Sequence, residues 1–159
     1  MSVSGIPKIM NLKSLLEGIR ILSSGSSKKI IKEKFELLSE MAEYDFEVSV
    51  EFTSGNNSYW IPTPADEVAE LDCFGIIDIG DDQDDFEKLV SLIHEIGHVI
   101  FQIKNKLTDN SWHNLFEESL AWYLGYDYAL QNGVEVSLAE YADRVQTALQ
   151  LYSERGKSV

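Results

Sequence analysis

The 159-residue chain has a single cysteine, Cys73, and so can form no disulfide within itself. A lone thiol suits a reducing compartment. Basic residues are also scarce: 13 lysines and arginines stand against 27 aspartates and glutamates, a formal charge of −14. No basic stripe offsets that excess, and such a surface repels phosphate backbones and anionic lipids, so neither a nucleic-acid nor a membrane partner is expected. The longest apolar run, within 84–104, is interrupted by His94, Glu95 and His98 and is too short to span a bilayer. Residues 1–10 lack the positive start, apolar core and small-residue cleavage site of a signal peptide, which argues for a cytoplasmic protein. Internal repeats and low-complexity tracts are missing too. At 44% hydrophobic, the length suits one domain with a real core, 1–159, and is short for two.

Histidine is scarce too, with three in the chain, yet two of the three stand in one pentapeptide, His94-Glu95-Ile96-Gly97-His98. On a helix, positions i and i+4 share a face, so both imidazoles can reach one metal ion. In the H-E-x-x-H pattern the glutamate is the general base toward a water that the metal acidifies. For this composition the pattern is expected by chance on the order of 0.004 times. The plain alternative is a pair of surface histidines on an amphipathic helix. Against it, 84–104 is apolar nearly all round, with Leu89, Leu92, Ile93, Ile96, Val99 and Phe101 among its residues. Such a helix is buried, and buried histidines and a carboxylate need partners that a metal supplies.

The rest of the chain places this helix in an α+β setting. A helical period runs over 9–22, a serine-glycine break follows, and Ser26 or Ser27 can cap a second helix to about Tyr44 with Ile31, Phe35, Leu38 and Ala42 on one stripe. This N-terminal helical segment, 1–44, resembles a helix pair, but its acidity and its lack of a basic recognition helix favour a structural role over DNA reading. From Asp45 the period becomes two, with Phe46, Val48, Val50 and Phe52 alternating against polar residues. The cluster 54–58 reads as a turn and 59–61 as the returning strand of a hairpin that stops at Pro62. Residues 73–79 read as a further strand leading into the histidine helix. Asp81, Asp82, Asp84 and Asp85 precede that helix; EF-hand spacing is not met, and capping with a favourable dipole explains them. Another apolar helix spans 114–131 and stops at Asn132-Gly133, and a capping box at Ser137 to Glu140 opens the last, with Tyr141, Val145, Leu149 and Tyr152 on one face.

Two histidines leave a zinc site one protein ligand short. The H-E-x-x-H-x-x-G-x-x-H pattern fails, because Phe101 and Lys104 stand at its glycine and third histidine. Cys73 would be the ligand in a peptide-deformylase arrangement, but the glycine-cysteine-leucine signature of those enzymes is missing, and a buried strand thiol is the better account. His113, in His113-Asn114-Leu115-Phe116, resembles the downstream histidine motif of SprT-like proteases, with Asn114 in place of their glycine. Glu118-Ser119-Leu120-Ala121-Trp122-Tyr123-Leu124-Gly125, beginning 20 residues beyond His98, resembles the E-x-x-A-x-x-(F/L)-(A/G) helix of the ImmA/IrrE-like metallopeptidases, a minimal glutamate-zincin family. With the strand 73–79 and the histidine helix, the resemblance covers about a third of the chain.

That resemblance implies that His94 and His98 are ligands, Glu95 the base and Glu118 the third ligand of one zinc ion. Large glutamate-zincins such as thermolysin place an aspartate four residues after the ligand glutamate to orient a histidine; here that residue is Trp122. The N-terminal helices show no helix-turn-helix like the regulators to which ImmA/IrrE-like domains are often fused. Glu117 is the rival of Glu118, although Asn114 as a cap would explain Glu117 without a metal. His113, Tyr123 and Tyr126 are near the ligand in sequence, and the oxyanion donor is unassigned.

The expectation is therefore one zincin-like α+β domain with a core over 45–159, in which a short, mainly antiparallel sheet packs against the histidine helix and further helices. The expected activity is zinc-dependent hydrolysis of a protein or peptide substrate. The competing class is a non-enzymatic binding or regulatory protein, for example a phage or mobile-element factor, that keeps the metal as a structural staple. If the strand 73–79 is a sheet edge, an extended substrate can add to it, with Asp78, Asp81 and Asp82 favouring basic side chains; if it is central, its apolar residues are core.

Overall fold

The computed structural model describes residues 27–64, 66–67, 73–105 and 115–157. The helix expected over 9–22, together with His113 and Asn114, lies outside the described residues. The elements, in chain order, are α1 (Ser27–Phe46), β1 (Val48–Thr53), β2 (Tyr59–Pro62), β3 (Gly75–Gly80), α2 (Asp85–Asn105), α3 (Leu115–Gln131) and α4 (Leu138–Lys157). This is an α+β fold: helices around a small three-stranded sheet.

The sheet corrects two expectations. Strand order is β1-β3-β2, with β1 parallel and β2 antiparallel to β3. The expected β1–β2 hairpin does not form, and 75–80 is no edge; the sheet is mixed. The reason is visible in the strand Gly-Ile-Ile-Asp-Ile-Gly. Ile77 and Ile79 are fully buried and both flanking strands satisfy its backbone, so the most apolar strand takes the centre. Glycines at both of its ends let neighbouring segments cross it. A Cβ at Gly75 would lie 2.2 Å from the Trp60 ring, and one at Gly80 would lie 2.7 Å from the carbonyl oxygen of Gly55. Sequence neighbours usually pair, and here β3 intervenes because 54–58 wraps over Gly80 instead of closing a tight turn.

Helix α1 lays Leu38 and Ala42 into the core, as its stripe predicts, and ends at Phe46 where Glu47 takes a positive φ of 54°. That left-handed residue reverses the chain straight into β1. Asp84 caps α2, its Oδ1 accepting from the Glu87 amide at 2.8 Å. Asp82 accepts from the Gly55 amide at 2.8 Å and Asp81 pairs with Lys88 at 3.0 Å, so the aspartate cluster is used in caps and turns. Helix α3 stops with Gly133 at φ 80°, where Val134 N donates to Ala129 O and Gly133 N donates to Leu130 O, the paired bonds of a Schellman ending. Ser137 Oγ then accepts from Glu140 N at 3.4 Å at the start of α4, as the capping box predicts.

The core sits where α2 meets the sheet and α3. Leu92, Ile93, Ile96 and Val99 of α2 are fully buried, with Ala121, Trp122 and Ala129 of α3 across from them. The two helices touch backbone to backbone: a Cβ on Gly97 would lie 1.7 Å from Ala121 O, and one on Gly125 1.9 Å from Ile93 O. That approach brings residues of α3 to the histidine face of α2. Among the described residues, no helix is long and apolar enough to cross a membrane.

Candidate metal centre

His94, Glu95 and His98 lie in the middle of α2, and Glu117 and Glu118 in the first turn of α3. One group of metal-ligating side chains converges among the described residues: His94, His98 and Glu118. The two Nε2 atoms are 3.2 Å apart. Glu118 spans both rings, with Oε2 3.1 Å from His94 Nε2 and Oε1 3.3 Å from His98 Nε2. The cluster is compatible with a metal site: two imidazole nitrogens and a carboxylate on two packed helices, with His98 and Glu118 buried and His94 half-buried. Of the other candidates, His113 lies outside the described residues. Cys73 is half-buried just before β3, within hydrogen-bond distance of Gly75 O, and is not part of the group.

Glu117 is not an alternative to Glu118 but its complement. Its Oε2 lies 2.7 Å from His98 Nδ1, on the far side of the ring from the convergence point. A carboxylate there fixes ring orientation and tautomer, leaving Nε2 to face inward. Sequence reasoning explained Glu117 as a cap and missed this. Adjacent residues on a helix point about 100° apart, so both carboxylates reach one histidine only because α3 crosses α2 closely enough for His98 to sit between them.

His94 is held differently. Trp122 stacks on its ring, with centroids 3.9 Å apart and planes 23° apart. Trp122 is one turn beyond Glu118, and Tyr141 backs it edge-on while donating its hydroxyl to Trp122 O at 2.5 Å. His94 Nδ1 is buried without a hydrogen-bond partner among the described residues. Packing against indole thus replaces the carboxylate that the thermolysin pattern would supply at this position.

Electrostatically the site attracts a cation. Burial by itself lowers the His98 pKa, but hydrogen bonds to Glu117 and Glu118 and the charges of Glu95 and Glu118 outweigh it and raise the value to about 10. Three carboxylates within reach of one buried ring favour a positive charge at that spot, and a metal ion and a proton compete for it.

Glu95 is 5% exposed and, with His94, Glu118 and Trp122, lines a cleft. The cleft's other walls come from the turn after β1 and from the last part of α4, including Tyr152. Tyr123 is 64% exposed and Tyr126 packs against Tyr141, and neither lines this cleft. A larger cavity, lined by Lys32, Glu36, Phe52, Asp81 and Lys88 among others, contains none of the candidate ligands.

Comparison with protein-family models, with curated proteins and with solved structures returned no match for this chain.

Proposed function

We propose that the chain is a zinc metallopeptidase of the ImmA/IrrE-like kind, acting on a protein or peptide substrate in the cytoplasm, with His94, His98 and Glu118 as ligands and Glu95 as general base. The observation that carries this reading is the spacing of the donors. Zinc–nitrogen bonds of about 2.0–2.1 Å at tetrahedral angles put neighbouring ligand atoms about 3.4 Å apart. The two imidazole Nε2 atoms here are 3.2 Å apart, and each meets a different oxygen of the Glu118 carboxylate, His94 at 3.1 Å from Oε2 and His98 at 3.3 Å from Oε1. Nitrogen and carboxylate donors in that array suit zinc, and three of them leave a fourth position open.

A zinc ion held there supplies Lewis acidity toward a carbonyl oxygen and toward water. Everything else falls to the protein. Glu95 takes a proton from the attacking water as its oxygen bonds to the carbonyl carbon, then passes that proton to the amine nitrogen as the C–N bond breaks. Glu117 keeps the His98 ring in register, and Trp122 covers His94 and keeps solvent off that side. An extended substrate cannot pair with β3, which is filled on both sides. The sheet edge that starts next to the cleft is that of β2, which follows Ser58, and main-chain pairing along it would bring a peptide past Glu95.

The test is metal stoichiometry on protein purified without chelator or metal-binding tag. One zinc per chain is expected in the native protein, and loss of it on dialysis in His94→Ala and His98→Ala. Full occupancy in both variants would end the assignment. The role of Glu117 carries its own expectation. Glu117→Ala should keep one zinc site and weaken its affinity by about 10–100-fold, measured by competition with a chromogenic chelator. Unchanged affinity would reduce Glu117 to a packing residue.

A further inference from the structure

The cleft beside Glu95 has two unlike walls. One is polar and pinned. Asn56, Asn57 and Ser58 come from the turn after β1, and Gln83 and Ser91 tie that turn to α2. Gln83 Nε2 donates to Asn56 O at 2.6 Å while Ser91 Oγ donates to Gln83 Oε1 at 3.1 Å. Gly80 N donates to Ser58 Oγ at 3.0 Å, and the lack of a side chain at Gly80 lets the turn lie directly on β3. Ser91 is three residues before His94, so this network fixes the polar wall relative to the candidate ligands.

The facing wall is apolar: Trp122 from α3, then Ala148, Leu151 and Tyr152 from α4. Along α4 the apolar stripe first serves the core, where Tyr141 is 4% exposed and Val145, Ala148 and Leu149 pack on the central cluster. It then runs further than the core requires. Leu151 is 49% exposed and still borders the same cleft as His94 and Glu95. Among the described residues, no lysine or arginine borders the cleft, and the acidic groups that do, Glu95 and Glu118, are carboxylates. The cleft measures about 260 Å3, below the roughly 300–1,000 Å3 of sites that enclose whole small molecules. It suits a side chain of a longer substrate.

We propose that Leu151, with Ala148, Tyr152 and the edge of Trp122, is the specificity wall of the site, and that the substrate is a polypeptide carrying an apolar residue next to the scissile bond, on the side facing α4. The inference rests on the peptidase reading above and adds the substrate class. A charged side chain of either sign in that place loses hydration against leucine and tyrosine. An apolar side chain buries surface on both partners.

The experiment is cleavage-site profiling of an unstructured random-sequence peptide mixture by the zinc-loaded full chain, read by mass spectrometry. Apolar residues should be enriched over charged ones at one position flanking the cut by about tenfold. In Leu151→Lys, whose side chain sits at the rim, zinc content should stay at one per chain. KM for apolar peptides should rise about tenfold with a smaller change in kcat, and acidic residues should now be accepted at that position. Cuts with no apolar preference, or the same profile in Leu151→Lys, would overturn the specificity wall and leave the peptidase reading standing. No cut in any peptide by zinc-loaded native protein would overturn both.

Discussion

Glu95→Gln should leave zinc bound and the fold intact while lowering peptide hydrolysis by about 10²–10⁴-fold. The amide has the shape of the carboxylate but cannot accept a proton at working pH, so the substitution removes proton transfer and little else. Glu95 is 5% exposed and follows the candidate ligand His94 on α2, and it is not one of the three converging donors. Losing one negative charge beside His98 weakens the pull on a proton and on a metal ion alike, so zinc affinity should change far less than the activity. The measurement is turnover on an unstructured protein substrate, with zinc content and melting temperature recorded on the same preparation. Undiminished turnover would make Glu95 a bystander. The substitution also separates the enzyme from the metal-staple alternative, which chelation cannot do: any site that binds zinc only in the folded state loses stability when stripped.

The parts of this molecule legible in its sequence are those set by local chemistry. Residues Ser137 to Glu140 named the start of α4, Asn132-Gly133 the end of α3, and the period of Ile31, Phe35, Leu38 and Ala42 the inner face of α1, because caps and stripes act within one or two turns. The spacing of His94 and His98 is local in the same sense. The order of the strands was not legible. It depends on how much apolar surface each strand brings to the centre, and the hairpin rule compares only neighbours in sequence. Glu117 shows the same limit at the site: its cap reading was sound chemistry for an isolated helix, and only the crossing of α3 over α2 shows that its carboxylate meets His98 Nδ1. Trp122 had a usable signal, since it is four residues from Glu118 and must share its face, but nothing local said that an indole would take the place of a carboxylate behind a histidine. Leu151 had no signal at all and Tyr152 only that of its helix stripe, because α4 is brought to the cleft by packing on Trp122 through Tyr141.

That dependence of the site on one helix crossing gives the second large effect. Gly97→Ala should destabilise the protein by about 3 kcal/mol, a fall of about 6–12 °C in melting temperature, and should weaken zinc binding besides. Two effects oppose each other here. Alanine is the better helix former by about 1 kcal/mol, which would stabilise α2 if nothing lay opposite. What lies opposite is backbone: the new Cβ would sit 1.7 Å from Ala121 O and 2.5 Å from its carbonyl carbon. No rotamer change relieves a contact with main chain, so α3 must retreat by on the order of 1.5 Å against a packed core. Overpacking therefore wins over propensity. Glu118 is three residues before Ala121 and moves with it, which lengthens the 3.1 Å and 3.3 Å contacts that set the donor spacing. Gly125→Ala, with its Cβ 1.9 Å from Ile93 O, pushes on the same crossing one turn further along. The double variant should cost less than the sum of the singles, because once α3 has moved the second methyl finds room already made. Thermal unfolding and chelator competition on the three variants provide the check. If Gly97→Ala matches the native protein in both, the helices are not in backbone contact at this point and the account of how Glu118 reaches the histidines is wrong.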